Sequence, residues 1–130
     1  MTRYVLDTDV LIDYFRGHDP TVRLIERLYR QRETLCTCAA IIAEMHSGLA
    51  PRDRGEVTVL LGSLHFLSTT PRAAGKAGDW RYAFARQGLQ LSTTDCLIAA
   101  ITVEAGATLI TGNARHFPMS ELNVMSNARQ

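Results

Sequence analysis

Four side chains with acidic or amide oxygens lie just after a predicted strand or in the first turns of a predicted helix. Asp7 directly follows the first strand, and Glu44 lies in the early turns of the helix after the second strand. Asp95 lies in the first turn of a later helix, and Asn113 comes two residues after the fourth strand. Ligands bind outside the carboxyl ends of parallel strands, so these four side chains are expected to gather at one edge of the sheet.

Three carboxylates at one sheet edge repel one another unless some are protonated or a cation lies among them. A set of oxygen donors with no histidine pair favours Mg²⁺ or Mn²⁺ over zinc. Each residue also has an ordinary structural interpretation. Asp7 would cap a helix, Asp95 would be favoured by the helix dipole, and Glu44 would belong to a solvated stripe. The combination of the three, rather than any one of them, indicates a metal site.

The elements that must position these residues are short apolar strands alternating with helices. Predicted strands cover residues 3–6, 34–38, 65–69, 108–111 and 122–125; predicted helices cover 9–15, 21–32, 53–64 and 72–87, with two more ending near residues 49 and 106. Thr93 is the predicted N-cap of the last helix. This alternation predicts an α/β fold, a single-domain three-layer αβα sandwich over residues 1–130 with a central, mainly parallel sheet of about five strands.

Composition restricts the class of protein. The chain has 130 residues, of which 46% are hydrophobic and 21% charged, as in one ordinary globular domain. No apolar run is long enough to cross a membrane, and the N-terminus lacks the layout of a signal peptide, so a cytoplasmic location is expected. The formal net charge of +1 excludes a broad basic surface as the main route to nucleic acid. The three cysteines, an odd number without CxxC spacing, are expected to be buried small hydrophobic residues.

Several separated stretches resemble the successive motifs of PIN-domain ribonucleases, most closely the VapC-type toxins of type II toxin–antitoxin systems. They are "YVLDTDVLIDYFRG", "TCAAIIAEMHSG" and "LSTTDCLIAAITVEAGATLITGNARHF". The resemblance runs from residue 3 to about residue 125, in the family's order and spacing.

The resemblance implies a role for each matching residue. Asp7, Glu44 and Asp95 match the three acidic metal-binding positions. Asn113 matches a fourth position where many members carry Asp, which removes one formal charge and leaves open whether one or two ions bind. Asp9 matches a position that often holds Asn, which implies a capping or supporting role rather than metal binding.

The resemblance also implies a reaction and partners. The reaction is hydrolysis of RNA phosphodiester bonds by water that Mg²⁺ or Mn²⁺ activates. The implied partners are a VapB-type antitoxin, a second copy of the chain in a homodimer, and operator DNA contacted only through the antitoxin.

Around the acidic edge, Arg16, Arg115 and His116 are candidate contacts for RNA phosphates. Asp13, one helical turn beyond Asp9, is expected to face solvent.

Two rival interpretations stay open from the residues alone. The opening stretch also resembles the DxDx[TV] motif of haloacid-dehalogenase-like phosphatases, in which Asp7 would be the nucleophile and Lys76 a later motif residue. Leu11 stands where that motif has Thr or Val, and Glu44 would have no role in it. The other rival is a catalytically weak PIN-like domain that only binds RNA or protein, which Asn113 would favour.

Overall fold

Five strands and six α-helices alternate along residues 2–127, the part of the chain that the computed structural model describes. The strands are β1 (Arg3–Leu6), β2 (Thr34–Cys38), β3 (His65–Leu67), β4 (Thr108–Thr111) and β5 (Asn123–Ser126). The helices are α1 (Thr8–Phe15), α2 (Asp19–Arg30), α3 (Ala39–Ser47), α4 (Arg54–Gly62), α5 (Pro71–Arg86) and α6 (Thr93–Glu104). Two short 3-10 helices, Pro51–Asp53 and Ala114–His116, precede α4 and follow β4.

All strand pairs are parallel, and the strand order is β3-β2-β1-β4-β5. The chain therefore adds β2 and then β3 on one side of β1, and afterwards adds β4 and then β5 on the other side. Val5 pairs with Cys36 of β2 and Leu6 with Ile110 of β4. The topological switch point lies between β1 and β4, and a doubly wound sheet opens a crevice for a ligand at such a point. The predicted fold class is confirmed.

The core is formed by strands buried on both faces and by α6. Val5, Leu109 and Ile110 have no exposed surface. Helix α6 packs against α3, α5 and β4, and consecutive residues from Ile98 to Thr102 are buried. The small side chains of Ala99 and Ala100 let neighbouring elements approach this helix closely. Such burial holds the first turn of α6, which carries Asp95, in a fixed place relative to the sheet.

Helix α2 begins two residues earlier than the sequence pattern predicts. The predicted helix over residues 21–32 excludes Pro20, but this proline lies in the first turn of α2. A proline is tolerated there because the first N–H groups of a helix have no partner within the helix. Gly17, which precedes α2, has a φ of +77°, which a residue with a side chain rarely adopts.

The cysteines are buried and free, as predicted. Burial raises the pKa of all three thiols, Cys36, Cys38 and Cys96, which disfavours the reactive thiolate. Among residues 2–127, no helix has the length and apolar character needed to cross a bilayer.

Candidate active site

Asp7 lies at the switch point of the sheet. Its backbone N–H donates to the carbonyl of Ile110 over 3.0 Å, which joins the end of β1 to β4. Its carboxylate caps α1 by accepting the Thr8 N–H at Oδ1 over 2.8 Å, while Oδ2 accepts the Thr111 hydroxyl over 2.8 Å. Only 6% of the residue is exposed. Asp7 is therefore both the helix cap and a carboxylate fixed at the mouth of the crevice.

The environment of Asp7 disfavours its charge. The pKa of this carboxyl rises from 3.8 to about 6, chiefly because burial removes water from the carboxylate, and the charges of Asp9 and Asp95 add to the rise. The hydrogen bonds from Thr111 and Thr8 oppose the rise only in part. Negative charge thus accumulates around Asp7.

Glu44 is linked to Asp7 through Thr8. Its Oε1 accepts the Thr8 hydroxyl over 2.7 Å, and the backbone of the same threonine holds Asp7. Glu44 lies on α3 and is half-buried. Sequence reasoning missed Thr8 because a threonine at the start of a helix is ordinary. Only the fold shows that its hydroxyl reaches a carboxylate 36 residues away.

Asp95 lies in the first turn of α6, where its backbone N–H donates to the Ser92 hydroxyl over 3.0 Å. The predicted cap at Thr93 is therefore wrong by one residue, and Ser92 is the N-cap. One carboxylate oxygen of Asp95 lies 3.8 Å from Nδ1 of His116. His116 was predicted as a phosphate contact, and the structure brings it to the acidic edge.

Asn113 is held at the same edge by a network around the end of β4. Its side-chain amide donates to Oδ2 of Asp9 over 3.1 Å, and its backbone N–H donates to the Thr111 hydroxyl over 3.0 Å. The backbone N–H of Gly112 also donates to Oδ2 of Asp9, over 2.9 Å. Asp9 therefore supports the loop after β4, which is one of the two roles expected for it. The other expected role, capping α1, is wrong, because Asp7 is the N-cap of that helix.

The other two predicted phosphate contacts lie in different places. Arg115 is exposed on the 3-10 helix that also carries His116, beside the acidic edge. Arg16 is exposed at the C-terminal end of α1. It is nine residues from Asp7 along that helix, or about 13 Å. Arg16 can meet only a part of a substrate that lies outside the crevice.

The donor set has the chemistry that a hard divalent cation requires. Asp7, Glu44, Asp95 and Asn113 offer oxygen atoms, and burial together with the charges of Asp9 and Asp95 raises the pKa of Asp7. Within residues 2–127, however, no three acidic, histidine or cysteine side chains converge as a finished set of metal ligands. The residues fit Mg²⁺ or Mn²⁺ provided that their side chains move on binding.

Asp13 does not face solvent as the sequence pattern predicted. It is only 8% exposed, and its carboxylate accepts the side-chain amide of Asn127 over 3.1 Å. The same amide lies 3.3 Å from the hydroxyl of Thr21, the first buried residue of α2. Asp13 thus joins α1 to α2 and to the residue after β5, and it has a structural role.

The geometry does not support the phosphatase alternative. That interpretation requires Lys76 to assist a phosphate at Asp7. The ammonium group of Lys76 instead lies 3.1 Å from a carboxylate oxygen of Glu121 and 5.2 Å from the centre of the Trp80 ring. Glu44, which that alternative leaves without a role, is hydrogen-bonded to the residue next to Asp7.

Comparison with known proteins agrees with the geometry. The sequence model of the PIN domain family matches residues 4–121. Ribonuclease VapC2 of Rickettsia felis is 22% identical over 119 residues, covering 88% of this chain and 89% of the relative. Ribonuclease VapC19 of Mycobacterium tuberculosis is 26% identical over 117 residues, covering 88% of this chain and 92% of the relative.

A solved structure has the same fold. It is that of VapBC2 from Rickettsia felis bound to a DNA fragment from its promoter, and one chain of it superposes on this one with a TM-score of 0.84. The two chains are 21% identical, and the match covers 96% of this chain and 98% of the other.

Proposed function

Since the chain belongs to the PIN domain family, we propose that it is an endoribonuclease toxin that depends on Mg²⁺ or Mn²⁺ and is inhibited by a cognate antitoxin. The relatives named ribonucleases span nearly the whole chain, which supports cleavage of RNA. We place the protein in the cytoplasm, where RNA substrates and an antitoxin would be available.

The observation that carries the proposal is the environment of Asp7. Its carboxylate is buried at the switch point, and two neighbouring carboxylates, those of Asp9 and Asp95, oppose its ionisation. A scaffold gains nothing from this arrangement, since it costs native-state stability at neutral pH. A divalent cation would remove the repulsion, and Asp7, Glu44 and Asp95 are the residues that would hold it.

The protein's own groups have separate tasks in this chemistry. When bound, the ion supplies Lewis acidity: it neutralises charge on the phosphate and lowers the pKa of water. The hydroxyls of Thr8 and Thr111 donate to Glu44 and Asp7 and so orient the carboxylates that would hold the ion.

His116, whose ring lies near Asp95, and Arg115 of the same 3-10 helix would contact the RNA phosphates. Water would act as the nucleophile, so no side-chain nucleophile is required. The bond from phosphorus to the 3′ oxygen would break and that oxygen would take up a proton, which would leave a 5′ phosphate and a 3′ hydroxyl.

The partners follow from the relatives. The solved structure from Rickettsia felis is a VapBC complex bound to promoter DNA. For this chain we propose a VapB-type antitoxin that covers the acidic edge with basic side chains. We also propose homodimer formation, and contact with operator DNA only through the antitoxin.

A cleavage assay with purified protein tests the activity. Wild-type protein should cut total RNA in Mn²⁺ or Mg²⁺ and should stop cutting in EDTA. Asp7→Asn should lose cleavage, by at least about a hundredfold, because the ion loses a charged ligand. Sequencing of the cleavage ends would then identify the RNA substrate.

The matched control is Asp19→Asn, which removes an exposed carboxylate from the first turn of α2, where Asp19 pairs with Arg23. This variant should cleave at the wild-type rate. If folded wild-type protein binds RNA but shows no metal-dependent cleavage of any RNA, the activity is refuted and the RNA-binding alternative replaces it.

A further inference from the structure

The Asp9 carboxylate joins the first turn of α1 to the loop after β4. One oxygen, Oδ2, accepts two hydrogen bonds from that loop, over 2.9 Å from the Gly112 N–H and over 3.1 Å from the side-chain amide of Asn113. The residues lie more than a hundred positions apart in the chain. A charged acceptor makes such bonds stronger than a neutral one would. The loop is therefore fixed to α1 at the point where α1 presents Asp7.

The contact also fixes which way the Asn113 side chain points. A carboxylate only accepts hydrogen bonds, so the group facing Asp9 must be the NH₂ of the carboxamide. The carbonyl oxygen of Asn113 consequently points away from Asp9. The backbone N–H of Asn113 donates to the Thr111 hydroxyl, which in turn donates to Asp7. An unbroken hydrogen-bonded path thus leads from Asp9 through the loop to Asp7.

We propose that Asp9 is a positioning residue that acts through a complementary acid–amide pair with Asn113. The pair holds the loop after β4 and presents the Asn113 carbonyl oxygen to the acidic edge. Its catalytic consequence rests on the proposed function, whereas its effect on the loop does not.

The acid and the amide can exchange positions, but positions 9 and 113 cannot both carry an acid. With Asn at 9 and Asp at 113, the Asn carbonyl would accept from Gly112 and its NH₂ would donate to the carboxylate. With Asp at both positions, two carboxylates would lie about as close as the present hydrogen bond, without a proton or cation between them. With Asn at both, the carbonyl of residue 9 could still accept both hydrogen bonds, but no charge would strengthen them.

Three variants, each compared with the wild type, test the pair without reference to cleavage. We expect Asn113→Asp in EDTA at pH 7.5 to lower the melting temperature by about 5 °C. The exchange variant Asp9→Asn/Asn113→Asp should recover most of that loss, and Asp9→Asn alone should lose little. If the exchange variant is as unstable as Asn113→Asp, or if Asn113→Asp loses no stability, the pair does not exist as proposed.

Amide hydrogen exchange at Gly112 measures the loop directly. Gly112 is exposed, so its protection should depend on the hydrogen bond to Asp9. Protection should be kept in Asp9→Asn, which retains an acceptor, and lost in Asp9→Ala. Equal protection in wild type and Asp9→Ala would overturn the proposal even if the protein proves not to be a nuclease.

The catalytic readout compares the same two variants at saturating Mn²⁺. Asp9→Ala should lower kcat by about ten- to a hundredfold with little change in KM for RNA, as loss of an orienting partner does. Asp9→Asn should keep kcat within a few-fold of wild type, because its carbonyl still accepts both hydrogen bonds. If Asp9→Asn falls as far as Asp9→Ala, the charge of Asp9 itself is required, and the residue acts on the ion rather than on the loop.

Discussion

Replacing Asp7 by Asn should make the metal-free protein more stable at neutral pH. The native state raises the pKa of this carboxyl from 3.8 to about 6, so the native protein holds the proton more tightly than the unfolded chain does. At about 1.36 kcal/mol per pH unit, the ionised carboxylate destabilises the native state by about 3 kcal/mol. Asn carries no charge, so the variant lacks this destabilisation of the native state.

Asn does not reproduce every hydrogen bond of the carboxylate. Its carbonyl can accept the Thr8 N–H, but its NH₂ cannot accept the hydrogen bond that the Thr111 hydroxyl donates to the carboxylate. Loss of the bond in which Thr111 donates costs about 1 kcal/mol. The net gain in the free energy of unfolding is then about 2 kcal/mol at pH 7.5.

The gain in stability of Asp7→Asn over the wild type must increase as the pH rises. Below pH 3.8, Asp7 is protonated in both the native and the unfolded state, and its charge costs nothing. As the pH rises from 3.8 to about 6, the unfolded chain loses its proton first, so this group lowers the stability of the wild type. Above about pH 6 the cost is constant. The advantage of Asp7→Asn should therefore be full at pH 7.5 and absent by about pH 4.

Urea denaturation in EDTA provides the measurement, followed by the fluorescence of Trp80, the single tryptophan, which is 6% exposed. Asp19→Asn serves as the control, because it removes an exposed carboxylate and should show no such difference between the two pH values. A loss of stability in Asp7→Asn at pH 7.5, or an equal gain at both pH values, would refute the reasoning that burial and neighbouring carboxylates strain Asp7.

Two further predictions concern the metal and the residue that links the carboxylates. Millimolar Mn²⁺ should raise the melting temperature relative to EDTA, by the equivalent of about 2.7 kcal/mol if the ion is at a hundred times its Kd. This rise should vanish in Asp7→Asn. An unchanged melting temperature of the wild type would count against a metal site. Thr8→Val should lower the cleavage rate about tenfold, because Glu44 loses its hydroxyl partner. Thr8→Ser keeps the hydroxyl and should keep the rate. Equal rates in both variants would show that the hydroxyl has no role.

The sequence by itself determined the strands and the places of the acidic residues. The bounds of β1, β2 and β4 agree with prediction because each is a short run rich in apolar and β-branched residues that is buried toward its carboxyl end. Asp7 and Asn113 follow such strands, so the parallel order of the sheet was enough to predict that they share an edge.

Tertiary structure decided which of these side chains are buried, what they contact and how readily they ionise. Thr8 and Glu44 meet across 36 residues, and Asp9 reaches Gly112 across 103. Asp13 was expected to face solvent, but Asn127 from beyond β5 covers it. Contacts between distant segments leave no periodic mark in a sequence. The pKa of Asp7 depends on just such contacts, because burial and the charges of side chains brought in by folding set it.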